Sequence, residues 1–263
     1  MTRGVPQGTV TGPLLFILYV ADLDVKFKLF NKLIKFADDC TLIIPIFENM
    51  DDNSAAEFEH IMDWCVRNGM EINFKKTKEL FCSLGTRPRF PILRQIQQMD
   101  SVKLLGVTMQ CNLNFNLHID SILCHGYRHL FLIKQIRSLG ISPAETSSIF
   151  NAWVMSKMLY CSCVFYNMSA CDKNKLQKLL DKAVKWNIIS GSKTVHELFA
   201  ERDMKVFTKV ESTSNPLSLF LPPLANRSRR KCNSLYCSRY VIPKLRTEHA
   251  RNSFFYRNLF TSF

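Results

Sequence analysis

Hydrophobic and polar positions change their pattern twice along the chain. Residues 4–12, GVPQGTVTG, hold three Gly and one Pro and read as a loop. Pro13 then stands where a helix can begin, with Leu14, Leu15, Leu18 and Tyr19 at helical spacing, so a loop running into a buried helix is expected. Residues 33–36 and 40–47 are apolar or β-prone on either side of Ala37-Asp38-Asp39. Because Asp is depleted in strands, this predicts a hairpin with two carboxylates at its tip. Phe58, Ile61, Met62, Cys65 and Val66 mark an amphipathic helix within 51–69, with acidic residues in its first turn and Gly69 as its C-terminal stop. Strand-like pieces follow at 71–74, 79–83 and 102–109, separated by a Pro- and Arg-containing loop near 87–94.

Beyond Asn116 the pattern turns helical. A helix is expected over 118–139, and Ser142-Pro143-Ala144-Glu145 forms a capping box opening another toward Phe165. A third is expected over 172–188. After Gly191 the periodic signals weaken, and residues 225–263 carry nine Lys or Arg against only Glu248, which reads as a basic, poorly packed tail. The fold class is therefore α+β, divided into a mixed region 1–110, a helical region 111–190 and a basic region 191–263.

Composition changes this picture in three ways. With 263 residues, 47% hydrophobic and 22% charged, the chain can bury a sizeable core and is not disordered by composition. Lys and Arg outnumber Asp and Glu by 35 to 22, a surplus that favours a polyanionic partner. The surplus is uneven: residues 1–66 carry 5 basic and 10 acidic residues, whereas 67–263 carry 30 and 12, so the acidic excess surrounds Asp38. The ten cysteines show no repeated spacing, and a chain this long does not need staples, so reduced thiols in the nucleus or cytoplasm are expected. The apolar run from Leu14 to Ala21 is too short to span a bilayer and lacks a convincing cleavage site, so no membrane partner is expected.

The residues that carry chemistry are weighed against plainer roles. Mg²⁺ takes hard oxygen ligands, holding few protein carboxylates and otherwise water and substrate phosphates, and adjacent aspartates on a rigid turn suit it. Alone, an Asp-Asp pair is weak evidence for such a site and reads as a solvated turn. Lys173, Lys178, Lys182 and Lys185 could follow a nucleic-acid backbone or simply form a solvated helix face. Arg227, Arg229, Arg230 and Lys231 form a denser cluster readable by nucleic acid or by an import receptor. Cys232, Cys237 and His249 lack a fourth zinc ligand, and Cys124, His125 and His129 lie on an expected amphipathic helix without an assigned role.

Context decides for Asp38-Asp39. RGVPQGTVTGPLLFILYVADL at 3–23 and KFADDCTLI at 35–43 resemble motifs B and C of the reverse transcriptases of non-LTR retrotransposons, especially the jockey-like groups. NFKKTKELFCS at 73–83 is similar to motif D, and KLLGVTM at 103–109 resembles the primer-grip segment, in the family's order and spacing. More loosely, NAWVMSKMLYCSCVFY at 151–166 and PKLRTEHARNSFFYRN at 243–258 resemble the thumb and the end of such proteins. The resemblance implies a partial palm over 1–110, a helical thumb over 111–190 and a basic C-terminal region. It also implies RNA-directed DNA polymerisation on an RNA template and DNA primer with deoxynucleotide triphosphates and Mg²⁺ or Mn²⁺.

In the same terms, Asp38 and Asp39 would bind the metals, with Asp38 the stronger candidate. Gln7 and Gly8 would line the nucleotide and template pocket, and Phe36 would pack beside the incoming sugar or fill the core. Lys76 would contact the triphosphate or protonate pyrophosphate, or is a solvated loop lysine. Leu105 and Gly106 would shape the primer grip, or form a plain strand with a Gly bulge. The family's motif A and fingers lie before motif B, where this sequence starts. Asp22 and Asp24 follow motif B and do not replace the third aspartate. The expectation is a fragment beginning at motif B and inactive alone, with a non-catalytic RNA- or DNA-binding remnant as the alternative.

Overall fold

The computed structural model describes residues 9–47, 52–83, 93, 95–191, 193–224 and 240–261. The chain forms two compact units, 1–100 and 101–263, described in turn. The mixed α and β content agrees with the expected α+β class.

The first unit opens with α1 (Gly12–Tyr19), which has Pro at its start as expected. Burial of this helix was expected and is not found: Leu14 is 61% and Leu18 71% exposed. The helix is apolar on every side, and the unit's small core takes only its C-terminal end. Phe16, Val20 and Leu23 pack there with Trp64 and Cys65. Strands β1 (Lys32–Phe36) and β2 (Asp39–Ile43) form an antiparallel hairpin in which Phe36 pairs with Asp39. β2 stops short of the expected residue 47, two residues before Pro45, which has no N–H for a ladder.

α2 (Ser54–Arg67) runs as expected. It ends in a Schellman motif, with Gly69 at φ +66°, its N–H on Val66 O (3.1 Å) and the Met70 N–H on Cys65 O (2.8 Å). Residues 71–74 are not a strand. They enter a turn in which the N–H groups of Lys76 and Thr77 donate to Asn73 O, an arrangement that competes with strand pairing. β3 (Lys78–Leu80) then pairs in parallel with β4 (Gln97–Met99).

The second unit begins with β5 (Ser101–Leu104) and β6 (Val107–Gln110), a hairpin where the sequence suggested one strand over 102–109. Leu105 (φ +45°) and Gly106 (φ +88°) make its two-residue turn. Two successive left-handed residues match the right-handed twist of the flanking strands. The helices are α3 (Asn116–Ser138), α4 (Pro143–Phe150), α5 (Ser156–Leu159), α6 (Ser162–Phe165) and α7 (Ala170–Lys185). They enclose the main core, in which Ile119, Leu130, Phe150, Phe165, Leu176 and Leu180 are fully buried. α3 and α7 approach closely at Gly126, where an added Cβ would lie 2.5 Å from Leu179 Cδ2.

The capping box at Ser142 and Glu145 forms, but the helix it opens does not run unbroken toward Phe165. It widens into a π-helical turn over Asn151–Met155 and ends at Tyr160, after which Cys161 takes φ +52°. Where the sequence signals weaken, α8 (Val195–Val210) is present, opened by a second capping box of Thr194 and Glu197. The tail's described end corrects the expectation of poor packing. α9 (Glu248–Arg251) and α10 (Phe254–Thr261) follow Tyr240, and Leu259 and Tyr240 bury against Phe207 of α8.

Candidate active site

The two aspartates stand at the β1–β2 tip by local geometry alone. The Phe36–Asp39 pair closes a two-residue turn of Ala37 and Asp38, in which Ala37 adopts φ +51°. Left-handed backbone costs a Cβ-bearing residue about 1–2 kcal/mol, so the surrounding hairpin must hold it. Asp38 and Asp39 are both exposed, as is Phe36 at 63%, which leaves the Phe36 ring outside the unit's core. Among the described residues no group of three or more His, Cys, Asp or Glu is placed to hold a metal. Asp24 is occupied elsewhere: its carboxylate pairs with Lys28 at 2.8 Å and accepts the Val25 N–H, and these bonds hold it below the usual carboxylate range.

Two side chains not foreseen in this role brace the hairpin. Lys35 of β1 donates from Nζ to Val20 O (2.8 Å), Ala21 O (3.2 Å) and Leu23 O (2.8 Å). Its charge thus sits where the carbonyl end of α1 gathers negative potential. Glu57 of α2 is fully buried, with Oε1 accepting from Phe27 N (2.6 Å) and Asn31 Nδ2 (2.8 Å) and Oε2 from Lys26 N (2.9 Å). It fastens the loop that feeds β1. Its signal was available: Glu57, Ile61, Trp64 and Cys65 share one helical stripe, which places the carboxylate on the buried face.

Lys76 is exposed on the Asn73 turn and forms no ion pair with either aspartate. Leu105 and Gly106 lie on the β5–β6 turn in the second unit, where Tyr160 Oη donates to Leu105 O (2.9 Å). His118 of α3 anchors the same hairpin. Its Nδ1 accepts from Thr108 N (3.4 Å), and burial, then the charges of Lys157 and Lys103, hold its pKa below the ordinary value. On α7, Lys178, Lys182 and Lys185 are exposed opposite the buried Leu176, Leu179 and Ala183. Lys182 lies over the rings of Tyr127 (5.2 Å) and Trp186 (4.9 Å). Gln7, Gly8, Arg227, Arg229, Arg230, Lys231, Cys232 and Cys237, and the side chain of His249, lie outside the described residues.

The aspartate pair on its tight hairpin, preceded by α1 in the same unit, is accompanied by a family match. Residues 1–109 match the reverse transcriptase (RNA-dependent DNA polymerase) family. Over 91% of its length the chain is 26% identical to a probable RNA-directed DNA polymerase from transposon X-element of Drosophila melanogaster. Over 92% it is 24% identical to a probable RNA-directed DNA polymerase from transposon BS of the same organism. The resemblance to non-LTR retrotransposon reverse transcriptases read from the sequence is thus borne out. The chain spans 27% and 28% of the lengths of these two relatives. No solved structure matches it.

Proposed function

We propose that the chain is part of an RNA-directed DNA polymerase in which Asp38 and Asp39 serve the nucleotidyl-transfer site. The observation that carries this reading is the Asp38-Asp39 pair on a two-residue hairpin turn inside the segment matching the reverse transcriptase family. The donor set fits Mg²⁺ or Mn²⁺: two exposed carboxylates suffice for an ion that keeps most of its shell for water and phosphate. Bound there, the metal would supply activation of the primer hydroxyl and stabilisation of leaving pyrophosphate. Lys35 and Glu57 keep the turn in place, and Lys76 on its exposed turn is the candidate for the triphosphate. Gln7 and Gly8 would line the template and nucleotide pocket. The Leu105–Gly106 turn would face the primer, and RNA template, DNA primer and deoxynucleotide triphosphates would be the partners.

Because no third carboxylate joins the pair among the described residues, the isolated chain is expected to give no primer extension. Robust, Asp38-dependent synthesis on an RNA template with Mg²⁺ would overturn that. Metal binding is tested separately by Mn²⁺-induced broadening of the amide signals of residues 36–40. Broadening lost in Asp38→Ala supports the polymerase site.

A second reading, a non-catalytic RNA- or DNA-binding remnant, is favoured by the charge of the second unit, which has 23 Lys and Arg against 9 Asp and Glu. Salt-sensitive RNA binding that survives Asp38→Ala, without Mn²⁺ broadening at the hairpin, would select it.

A further inference from the structure

The β5–β6 turn needs support from outside itself. Leu105, which carries a Cβ, holds φ +45° there, a conformation that persists only where the surroundings impose it. The support is Tyr160. Its Oη donates to Leu105 O (2.9 Å), and its Cε1 lies 3.4 Å from where a Cβ on Gly106 would stand. Tyr160 is itself 45% exposed, so burial does little to hold its ring. Its position is set by the backbone that carries it, at the break where α5 ends and Cys161 turns to φ +52°.

The group that holds this break comes from α10. α6, which follows the break, is a single turn, and the last four carbonyls of a helix lack an intrahelical donor. Arg257 of α10 supplies one, its Nη2 donating to Cys163 O at 2.7 Å across 94 residues of sequence. The guanidinium is fixed on its other sides as well. Nε and Nη2 meet Asp203 Oδ2 of α8 at 2.7 and 2.6 Å, Nη1 donates to Asn252 O (2.9 Å), and Cζ lies 4.5 Å from the Tyr166 ring centre. The Arg257 side chain is 12% exposed and that of Asp203 4%, so water is poorly placed to replace the bonds of this fork. The segment 240–261 that carries it is seated on α8, with Leu259 and Phe254 against Phe207 and with Tyr240 Oη donating to Glu211 Oε1 (2.9 Å).

We propose that Arg257 is a positioning residue for the β5–β6 turn, and that the segment 240–261 is a strap that sets the turn by holding α6. The path is short. Arg257 fixes Cys163 O, Cys163 stands three residues after Tyr160, and Tyr160 Oη holds Leu105 O. With the strap lifted, Cys163 O loses its donor, the break is no longer pinned and Tyr160 leaves the turn. The proposal rests on the reading above only for the task of the Leu105–Gly106 turn. The coupling is measured without nucleic acid, so its failure would leave that reading standing.

The test is hydrogen exchange of the full chain, read by mass spectrometry in peptides from 101–110, from the strap and from α3 and α7. Arg257→Met is combined with Asp203→Leu, which removes the ion pair without leaving a charge buried and unpaired. Exchange of 101–110 is then expected to rise about fivefold relative to α3 and α7, the equivalent of one ordinary hydrogen bond lost. Tyr160→Phe should give a rise of the same size while the strap exchanges as in the wild type. Joining all three substitutions should add little to either change, because both remove the same support. If the Arg257–Asp203 pair variant fails to fold by circular dichroism, Arg257→Lys takes its place, since it keeps a cation beside Asp203 but lacks the planar fork that also reaches Cys163 O. A 101–110 stretch that exchanges as in the wild type, a rise no greater than in α3 and α7, or full additivity with Tyr160→Phe overturns the proposal.

Discussion

Removing the Glu57 carboxylate tests how the aspartate hairpin is held. In Glu57→Ala the N–H groups of Lys26 and Phe27 lose their partners, while Asn31 Nδ2 keeps Asn53 Oδ1 at 3.1 Å. Both bonds are only part-buried and their donors belong to exposed residues, so each lost bond costs about 1 kcal/mol. The lost side chain also leaves a void. Together these predict destabilisation on the order of 2–4 kcal/mol. Glu57→Gln keeps the shape and one acceptor but turns an amide toward a donor, for a cost of about 1–2 kcal/mol.

Urea unfolding would be followed by the fluorescence of Trp64, buried in the same unit, with Trp153 and Trp186 replaced by Phe. The pH dependence adds a second check. Burial alone would push the Glu57 carboxyl up, but the N–H groups of Phe27 and Lys26 and the Asn31 amide more than offset this and hold it below its ordinary value of 4.5. A depressed folded value means the unfolded chain takes up the proton first. The stabilisation is complete above about 4.5 and is lost as pH falls through the folded value. The advantage of the wild type over Glu57→Gln should therefore shrink in acid. A Glu57→Ala change below about 0.5 kcal/mol, the range of ordinary surface substitutions, would refute the reasoning.

Three further outcomes are expected. Ala37→Gly should raise the stability of the first unit by about 1 kcal/mol in urea unfolding, because it relieves the left-handed backbone at the turn. The second unit should weaken as pH falls below 6.5. His118 is held neutral by burial and by Lys157 and Lys103, so the unfolded chain binds the proton more readily, and His118→Gln should flatten that slope in thermal unfolding. Arg257→Met should cost about 3–5 kcal/mol by stranding the buried Asp203, which Arg257 Nη2 meets at 2.6 Å. Adding Asp203→Leu should recover part of that loss in the same urea titration.

Much of the architecture was legible because it is written in periodicity. The stripes of α3 and α7, the Schellman stop at Gly69 and the box at Ser142 each depend on residues a few positions apart. Thr194 and Glu197 carry the same capping signal as Ser142 and Glu145 and open α8, although the apolar pattern after Gly191 fades. The break at Tyr160–Cys161 has no such mark. There Tyr160 turns to donate to a carbonyl 55 residues earlier, and that tertiary bond is invisible to local propensity.

The aspartate pair was legible for the opposite reason from its supports. A tip set by a two-residue turn is a local fact: strand-prone runs on both sides and Asp between them leave few places for the chain to reverse. Its bracing is non-local and polar. Lys35 reaches carbonyls 12 to 15 residues back, and Glu57 takes N–H groups from a loop about 30 residues away. Arg257 repeats the lesson in the tail. Counted by charge it belongs on a solvated surface, yet it donates to Asp203 and to Cys163 O (2.7 Å) while its guanidinium lies 4.5 Å from the Tyr166 ring centre. Hydropathy assigns such residues outward because an unpaired buried charge is costly. The structure turns Glu57 and Arg257 inward where backbone groups and, for Arg257, the Asp203 carboxylate offset that cost. The residues that do chemistry at a turn can thus be read from the sequence, whereas those that hold the turn still emerge only when the loops that need them are in place.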